Sequence, residues 1–497
     1  MKLWELAGHV PGKTRLIGAN VEISSVEIDS RKVQPGALFF CIPGTNADGH
    51  DFAPAAAQRG AAALVVEREL PLEIPQLLVE NAREALAYLA AAFYGNPAKN
   101  MRLIGITGTK GKTTVSYLVK SILDSAGVKT GLIGTVSTYI GSEQFPSRLS
   151  TPDPIEFHSI LRRMDDAGVE VVVMEVTAHA LAQCRVAGLA YDVAAFTNFS
   201  QDHLDYFGTM ERYLEAKLLL ARQAKQMVVN VDDEHLALAV QQGRFLCPVK
   251  TVGIRARADI YAKNIEVDER GCNFLLCFHK RFRIPVQLRV PGIFNVYNSL
   301  VAAALCNAVG VDQDSIRRGL EAVRTIPGRI ELLNTGTPYH VILDYAHSPD
   351  ALENVLRAVR QTARARVIAL FGCGGDRDRE KRPLMGEIGG RLADYVILTS
   401  DNPRSEDPYE ILASVEEGIK RTDCPYVVIE NRREAIREAL RIAQENDVVV
   451  LAGKGHETYQ EVDGVQHPMD EREIVAEWFR SREGRQERTG NIPAGVV

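Results

Sequence analysis

The sequence lacks an excess of positive charge, a long apolar run and paired cysteines, and each absence removes a class of function. Its 497 residues carry a formal charge of -6 with a pI near 6.1. Nucleic acid and anionic membranes attract proteins with a positive excess, so neither is expected as a partner. No apolar stretch reaches the ~20 residues of a membrane-spanning helix. Residues Met1 to Val10 show no basic segment leading into an apolar one, so no export signal is expected. The eight cysteines are scattered: the nearest pair, Cys272 and Cys277, has four residues between its members and no second pair at matching distance. Structural zinc needs two such clusters, so reduced, buried thiols in a cytoplasmic monomer are expected. No internal repeat is visible.

What remains is a 46% hydrophobic, 25% charged chain of soluble globular type, long enough for two to four domains. Short β-branched runs alternate with alanine-rich helical stretches, the pattern of an α/β protein with parallel sheets. Composition shifts divide it into three parts. Residues 1–98 form a smaller N-terminal α/β domain ending in a helix over Ala82–Tyr94 and the breaker Gly95-Asn96-Pro97. Residues 99–333 form a central domain with strands at Arg102–Thr107, Val169–Val176, Val193–Thr197 and Met227–Val231, a β-rich stretch from Thr251 to Val290 and a helix over Asn295–Val309. Residues 334–497 form a Rossmann-like domain with strands at Val341–Leu343, Val367–Phe371, Tyr395–Leu398 and Val448–Leu451, and an irregular polar tail from about Arg482.

Each of those last four strands runs into a polar or glycine-rich loop: Asp344-Tyr345-Ala346-His347, Gly372 to Arg377, Asp401-Asn402-Pro403-Arg404 and Gly453-Lys454-Gly455-His456-Glu457. Open parallel sheets bind ligands beyond the carboxyl ends of their strands. Turn formation alone accounts for one or two such loops but not for four.

A phosphate-binding loop lies in the central part. Strand Arg102–Thr107 leads into Gly108-Thr109-Lys110-Gly111-Lys112-Thr113-Thr114 and then a helix with an apolar stripe at Val115, Leu118, Val119, Ile122 and Leu123. Backbone N–H groups of such a loop and the helix N-terminus cradle phosphates, Lys112 neutralises them, and Thr113 offers a hydroxyl to magnesium. The strict pattern wants glycine where Ile106 stands. Glu175, at the carboxyl end of an apolar strand, is a natural second magnesium ligand. His203, between Asp202 and Asp205, reads equally well as part of a helix cap. Lys217, beside Leu218–Leu220, reads as a lysine lying along an apolar face with its ammonium in water.

Gly105 to Thr114 resembles the Gly-x-Thr-Gly-Thr-x-Gly-Lys-Thr-Thr loop of the Mur ligases. Met174 to Leu181, Asn198 to Tyr206 and Ala216-Lys217 resemble that family's central-domain signature; Asn295, Asn298, Gly328-Arg329 and Asp344 to His347 resemble its nucleotide-binding elements. The resemblance runs from about Asp29 to Glu457. It implies an ATP-dependent amide-bond ligase of peptidoglycan precursor synthesis with three small-molecule substrates: ATP, a UDP-N-acetylmuramoyl dipeptide and an amino acid. ATP contacts fall to Gly108 through Thr114, Asn295, Arg329 and Asp344. Two magnesium ions fall to Thr113, Glu175, His203 and Lys217, the last carrying a carbon dioxide-derived carbamate. The UDP-dipeptide falls to Ile28, Ser30, Thr45, Asn46, Ala47, Thr151, Pro152, Thr177, Gln183 and Arg185. The family usually has a second serine where Ala178 stands and asparagine where Lys110 stands.

The same resemblance points to meso-diaminopimelate as the added amino acid, held by Arg377, Asp401, Asn402, Pro403, Arg404, Gly453 and Glu457. Diaminopimelate differs from lysine by a carboxylate on its distal carbon, for which an arginine fork such as Arg404 is the natural bidentate partner. A lysine-adding or other Mur-type ligase, a folate polyglutamylating enzyme and a non-catalytic nucleotide switch are the rivals. The Asp-Asn-Pro-Arg loop speaks against the first two. The third has no need of Glu175, His203, Lys217 and four ligand loops together.

Overall fold

The computed structural model describes residues 1–44, 47–268, 271–278 and 282–489, with side chains to residue 480. Thr45 and Asn46 therefore lie outside the described residues. The chain falls into two compact units, one made of Met1–Phe199, Glu211–Ile260 and Val301–Gly319, the other of Ser200–Met210, Tyr261–Leu300 and Leu320–Val497. The architecture is α/β throughout.

The first unit holds two sheets. The N-terminal one has the order Arg15–Ile17, Gln76–Leu78, Ala63–Val66, Ala37–Phe40, Ser25–Glu27, all parallel except the first. Ala37–Phe40 and Ala63–Val66 are buried at every position because helices cover both faces. Helix Ala82–Phe93 begins where the Asn81 side chain accepts from the backbone N–H groups of Arg83 and Glu84.

The larger sheet orders Val249–Gly253, Met227–Asn230, Val193–Phe196, Arg102–Thr107, Val171–Glu175 and Thr130–Ile133 in parallel, followed by the antiparallel strands Ser137–Ile140 and Glu143–Pro146. The strand that feeds the phosphate loop lies between two parallel neighbours, so the loop is anchored at the carboxyl edge of the sheet interior. Helix Lys112–Ser125 follows the loop and ends before Gly127 at φ 76°, a backbone region that favours glycine.

In the second unit, strands Gly271–Phe278 and Phe282–Leu288 pair as an antiparallel ribbon. A six-stranded sheet has the order Glu331–Leu333, His340–Asp344, Val448–Ala452, Val367–Phe371, Tyr395–Leu398, Tyr426–Val428, parallel but for its first strand. Helices Pro349–Thr362, Lys381–Leu392 and Pro408–Ile419 pack on one face, and Arg432–Ile442 with Glu471–Thr489 on the other. The last helix spans Glu471–Thr489. The short hairpin Tyr459–Val462 with Val465–Pro468 was not apparent from periodicity, because its residues are half-buried or exposed and do not alternate. No described helix is long and apolar enough to cross a membrane.

One core position carries a pH liability. His158, on helix Pro154–Asp166, is 1% exposed, and neither ring nitrogen has a hydrogen-bond partner. Burial disfavours the imidazolium and lowers its pKa from 6.5 to about 4. The unfolded chain therefore binds the extra proton first, and stability is lost as pH falls from 6.5 through about 4, by about 2 kcal/mol at pH 5. His158→Phe is expected to flatten the pH 7 to 5 decline in thermal unfolding temperature. An equal decline in the variant would contradict this.

Candidate active site

The phosphate loop is shaped by what it cannot accommodate. Gly108 has φ 148°, and a Cβ there would fall 1.9 Å from Thr197 Oγ1; Gly111 has φ 82° and caps the following helix. Thr197 and Asn198, at the end of the neighbouring strand, staple the loop. Thr109 N–H donates to Asn198 O (2.9 Å) and Lys110 N–H to Asn198 Oδ1 (2.8 Å). Asn198 Nδ2 and Thr197 Oγ1 donate back to Lys110 O at 3.0 and 2.6 Å. Lys112 Nζ donates to Gly108 O (2.9 Å) and Thr109 O (3.0 Å).

Lys217 corrects one expectation. It is 2% exposed, not solvated: Nζ donates to Gly108 O at 2.8 Å and lies 4.7 Å from the centre of the Tyr213 ring. Tyr213 in turn donates to Thr109 Oγ1 at 3.4 Å. The local helical pattern suggested a surface lysine because its partner lies in a distant part of the chain.

Glu175 is 1% exposed. Its carboxylate accepts from Thr135 N–H (2.9 Å) and Thr135 Oγ1 (2.8 Å), and its main-chain carbonyl accepts from Thr151 Oγ1 at 2.9 Å. Two neutral hydrogen bonds leave the buried carboxylate acceptor capacity for a cation or its waters. A Cβ at Gly134 would lie 2.7 Å from Glu175 Oε1, so glycine keeps that side open. Thr113, 2% exposed, offers a hydroxyl in the first turn of the loop helix. Hard oxygen donors of this kind fit magnesium, which binds through one or two carboxylates and takes its other ligands from phosphates and water. Among the described residues no group of three or more His, Cys, Asp or Glu could hold a metal by itself. His203 belongs to the second unit, where it has φ 55°, precedes the short helix Leu204–Phe207 and faces Asp202 at 3.8 Å.

Close to Glu175, four of the residues expected to meet the UDP-dipeptide, Thr151, Thr177, Gln183 and Arg185, form one cluster. Thr151 Oγ1 accepts from Thr177 N–H (3.2 Å) and lies 3.5 Å from Thr177 Oγ1. Arg185 donates to Thr151 O at 3.0 Å and to Gln183 Oε1 at 2.8 Å. Thr177 caps helix Ala178–Ala182, and Ala178 is buried, so the missing hydroxyl leaves no exposed gap there. Ile28 and Ser30 follow strand Ser25–Glu27, with Ile28 exposed.

In the second unit, Asp344 ends its strand with both carboxylate oxygens accepting backbone N–H groups, from Ala346 at 2.8 Å and Ile330 at 2.7 Å. Burial raises its pKa against the opposing pull of Arg329, whose guanidinium lies 5.0 Å from the Tyr345 ring centre. Asn295 Nδ2 donates to Pro291 O (2.7 Å) and Oδ1 accepts from Asn298 (3.0 Å).

The four loops at the carboxyl ends of the second unit's sheet, together with Gln201 to Asp205 and the start of helix Pro349–Thr362, line a cavity of about 280 Å³. Of the seven residues expected to hold diaminopimelate, six line it: Arg377, Asp401, Asn402, Arg404, Gly453 and Glu457. Arg404 donates from Nε to Glu461 Oε2 (3.2 Å) and from Nη1 to Gly375 O (2.7 Å), which pins the guanidinium and leaves the Nη2 donors available. Asp401 is 7% exposed; its Oδ1 accepts from Asn402 N–H and its buried Oδ2 has no hydrogen-bond partner. Burial pushes the Asp401 pKa up, but the nearby Lys454 and Arg432 charges outweigh it and hold the carboxyl below its ordinary value. Gly453, at φ 113°, is required because a Cβ would stand 2.5 Å from Asp401 Oδ2. Three residues escaped sequence reasoning: Thr135, which carries no motif; Tyr345, whose hydroxyl meets Glu457 at 3.2 Å; and Lys454, which lay within a quoted loop without an assigned role.

Three family models match the chain in order: the Mur ligase family catalytic domain over residues 22–94, the Mur ligase middle domain over 106–306, and the Mur ligase glutamate ligase domain over 328–455. The chain is 45% identical, over 97% of its length and 100% of the relative's, to UDP-N-acetylmuramoyl-L-alanyl-D-glutamate--2,6-diaminopimelate ligase of Geobacillus thermodenitrificans. It is 46% identical, over 92% of its length and 95% of the relative's, to the ligase of the same name from Caldanaerobacter subterraneus. A solved structure of a ligase of that name superposes with a TM-score of 0.67 at 32% identity, covering 94% of this chain and 98% of the other. The MurF ligase of Thermotoga maritima in complex with ADP shares the fold, with a TM-score of 0.64 at 22% identity over 93% of this chain and 98% of that one. By sequence, domain order and fold, the chain belongs to the Mur ligase family.

Proposed function

We propose that the chain joins meso-2,6-diaminopimelate to the D-glutamyl carboxylate of UDP-N-acetylmuramoyl-L-alanyl-D-glutamate at the expense of ATP. The observation that supports this most is the cavity at the carboxyl ends of the second unit's strands, where Arg404 is pinned with donors to spare beside Asp401, Asn402 and Glu457. A diamino acid with a second carboxylate matches that pairing of a guanidinium with acidic and amide groups. The curated relatives carry the same substrate in their names.

The chemistry follows from the charges. A carboxylate oxygen of the D-glutamyl residue attacks the γ-phosphorus of ATP and ADP leaves, giving an acyl phosphate. The deprotonated amine of diaminopimelate then attacks the acyl carbon, and inorganic phosphate leaves as the amide forms. Several anionic groups meet in the first step, so the loop Gly108–Thr114 with Lys112 works mainly by offsetting their repulsion. Magnesium supplies further charge neutralisation at the phosphates. Thr113 and Glu175 would hold one ion; His203 and a carbamylated Lys217 are assigned to a second. Asn295 and Asp344 are assigned to adenosine, Arg329 to phosphate, and Ile28, Ser30, Thr45, Asn46, Ala47, Thr151, Pro152, Thr177, Gln183 and Arg185 to the UDP-dipeptide. Domains at residues 1–98, 99–333 and 334–497 and a cytoplasmic monomer complete the reading.

The test is phosphate release from ATP in the presence of the UDP-dipeptide and one amino acid. Stimulation by meso-diaminopimelate, and not by L-lysine or glutamate, is expected; stimulation by lysine alone would overturn the substrate assignment. Arg404→Ala should raise KM for diaminopimelate on the order of 100-fold, the size of a lost charge-assisted pair, with KM for the UDP-dipeptide nearly unchanged. For Lys217, intact mass at neutral pH should show the addition of one carbon dioxide that is lost in acid. Lys217→Ala should reduce turnover by roughly 100-fold or more. A variant with near-normal turnover would remove the carbamate from the account.

A further inference from the structure

Lys454 is fully buried in the loop whose Gly453 and Glu457 line the cavity and are already assigned, while the lysine is not. Its Nζ lies 2.7 Å from Asn402 Oδ1 and 2.6 Å from Glu457 Oε2, and 5.1 Å from the centre of the Tyr459 ring. Asn402 Oδ1 also receives Glu461 N–H at 2.9 Å. An ammonium and a backbone N–H are obligate donors, so together they leave the Asn402 amide only one polarity. With its oxygen turned inward, Nδ2 must point the other way, and it donates to Glu457 Oε2 at 3.1 Å. Glu457 is held in turn: Oε2 takes both Lys454 and Asn402, while Oε1 takes the Tyr345 hydroxyl at 3.2 Å.

Two cations, Lys454 and Arg432, stand among three carboxylates, Asp401, Glu457 and Glu471, with Arg432 paired to Glu471 at 2.9 Å. Arg404 has its own counter-charge in Glu461 and adds no net charge.

From this geometry we infer that Lys454 is a positioning residue for the amino-acid substrate: by fixing the polarity of Asn402, whose Nδ2 then donates to Glu457, and by pairing with Glu457 itself, it holds the Glu457 carboxylate in place for the substrate's ammonium. This rests on the diaminopimelate reading above and adds to it a residue that touches no substrate. A role of this kind acts through Asn402, so its effects must not multiply with those of Asn402.

The experiment uses the full chain and measures KM for each of the three substrates, with thermal unfolding as a check on folding. Lys454→Met and Asn402→Ala are each expected to raise KM for meso-diaminopimelate about tenfold or more, leaving KM for ATP and the UDP-dipeptide within about twofold. The double variant should be no worse than the worse single one. Should Lys454→Met fail to fold, Lys454→Gln keeps a polar head in the slot but is one bond short of Asn402, and carries the same expectation. Multiplying effects, or equal rises in all three KM values, would overturn the inference while leaving the functional reading in place. A wild-type chain that meso-diaminopimelate does not stimulate would overturn both.

Discussion

A single carbonyl oxygen, that of Gly108, accepts hydrogen bonds from two lysine side-chain nitrogens, Lys112 Nζ and Lys217 Nζ. Burying polar donors is costly unless they are paired, and this one carbonyl satisfies both. The arrangement exists only because the backbone can run past Thr197 at a distance no side chain would permit. Position 108 must therefore be glycine, and Thr197 and Asn198 must close on the loop from the adjacent strand. The remainder of the first unit supports that geometry: a strand buried between parallel neighbours sets the loop's height, and the capped helix after it directs N–H dipoles toward the same point.

The second unit meets a different constraint, the holding of several like and unlike charges in one small cavity without collapse onto each other. Arg432 is its internal brace. Fully buried, it joins Ser400 O and Ala452 O, at the carboxyl ends of two strands, to Glu471 at the start of the last helix. Removing one member of such a pair costs about 3–5 kcal/mol, so the loops it ties are held rigidly. On that frame Asp401 keeps its charge although it is buried, and Arg404 is held by Glu461 from the hairpin that crosses the Asp-Asn-Pro-Arg loop. Charges of both signs are thereby held in fixed positions around one cavity.

Much of this was legible in the sequence, for identifiable reasons. Strands Val367–Phe371 and Tyr395–Leu398 are buried on both faces and so appear as unbroken apolar runs, each ending at its observed boundary. The phosphate loop was legible because its chemistry is local. Lys217 was not, because its partner Gly108 is 109 residues away. Nor were Thr135 and Lys454, whose importance lies in which atom of Glu175 or Asn402 they meet. The hairpin Tyr459–Pro468 carries no periodic signal and took its meaning only from its hydrogen bonds to Asp401 and Arg404.

The central claim is that a substrate carboxylate is activated by phosphoryl transfer on this scaffold before the amine attacks. Oxygen-isotope transfer reads that step directly. With the D-glutamyl carboxylate of the UDP-dipeptide labelled in both oxygens, turnover with ATP and meso-diaminopimelate should place one labelled oxygen in each inorganic phosphate released. Unlabelled phosphate accompanying stoichiometric amide formation would contradict the account.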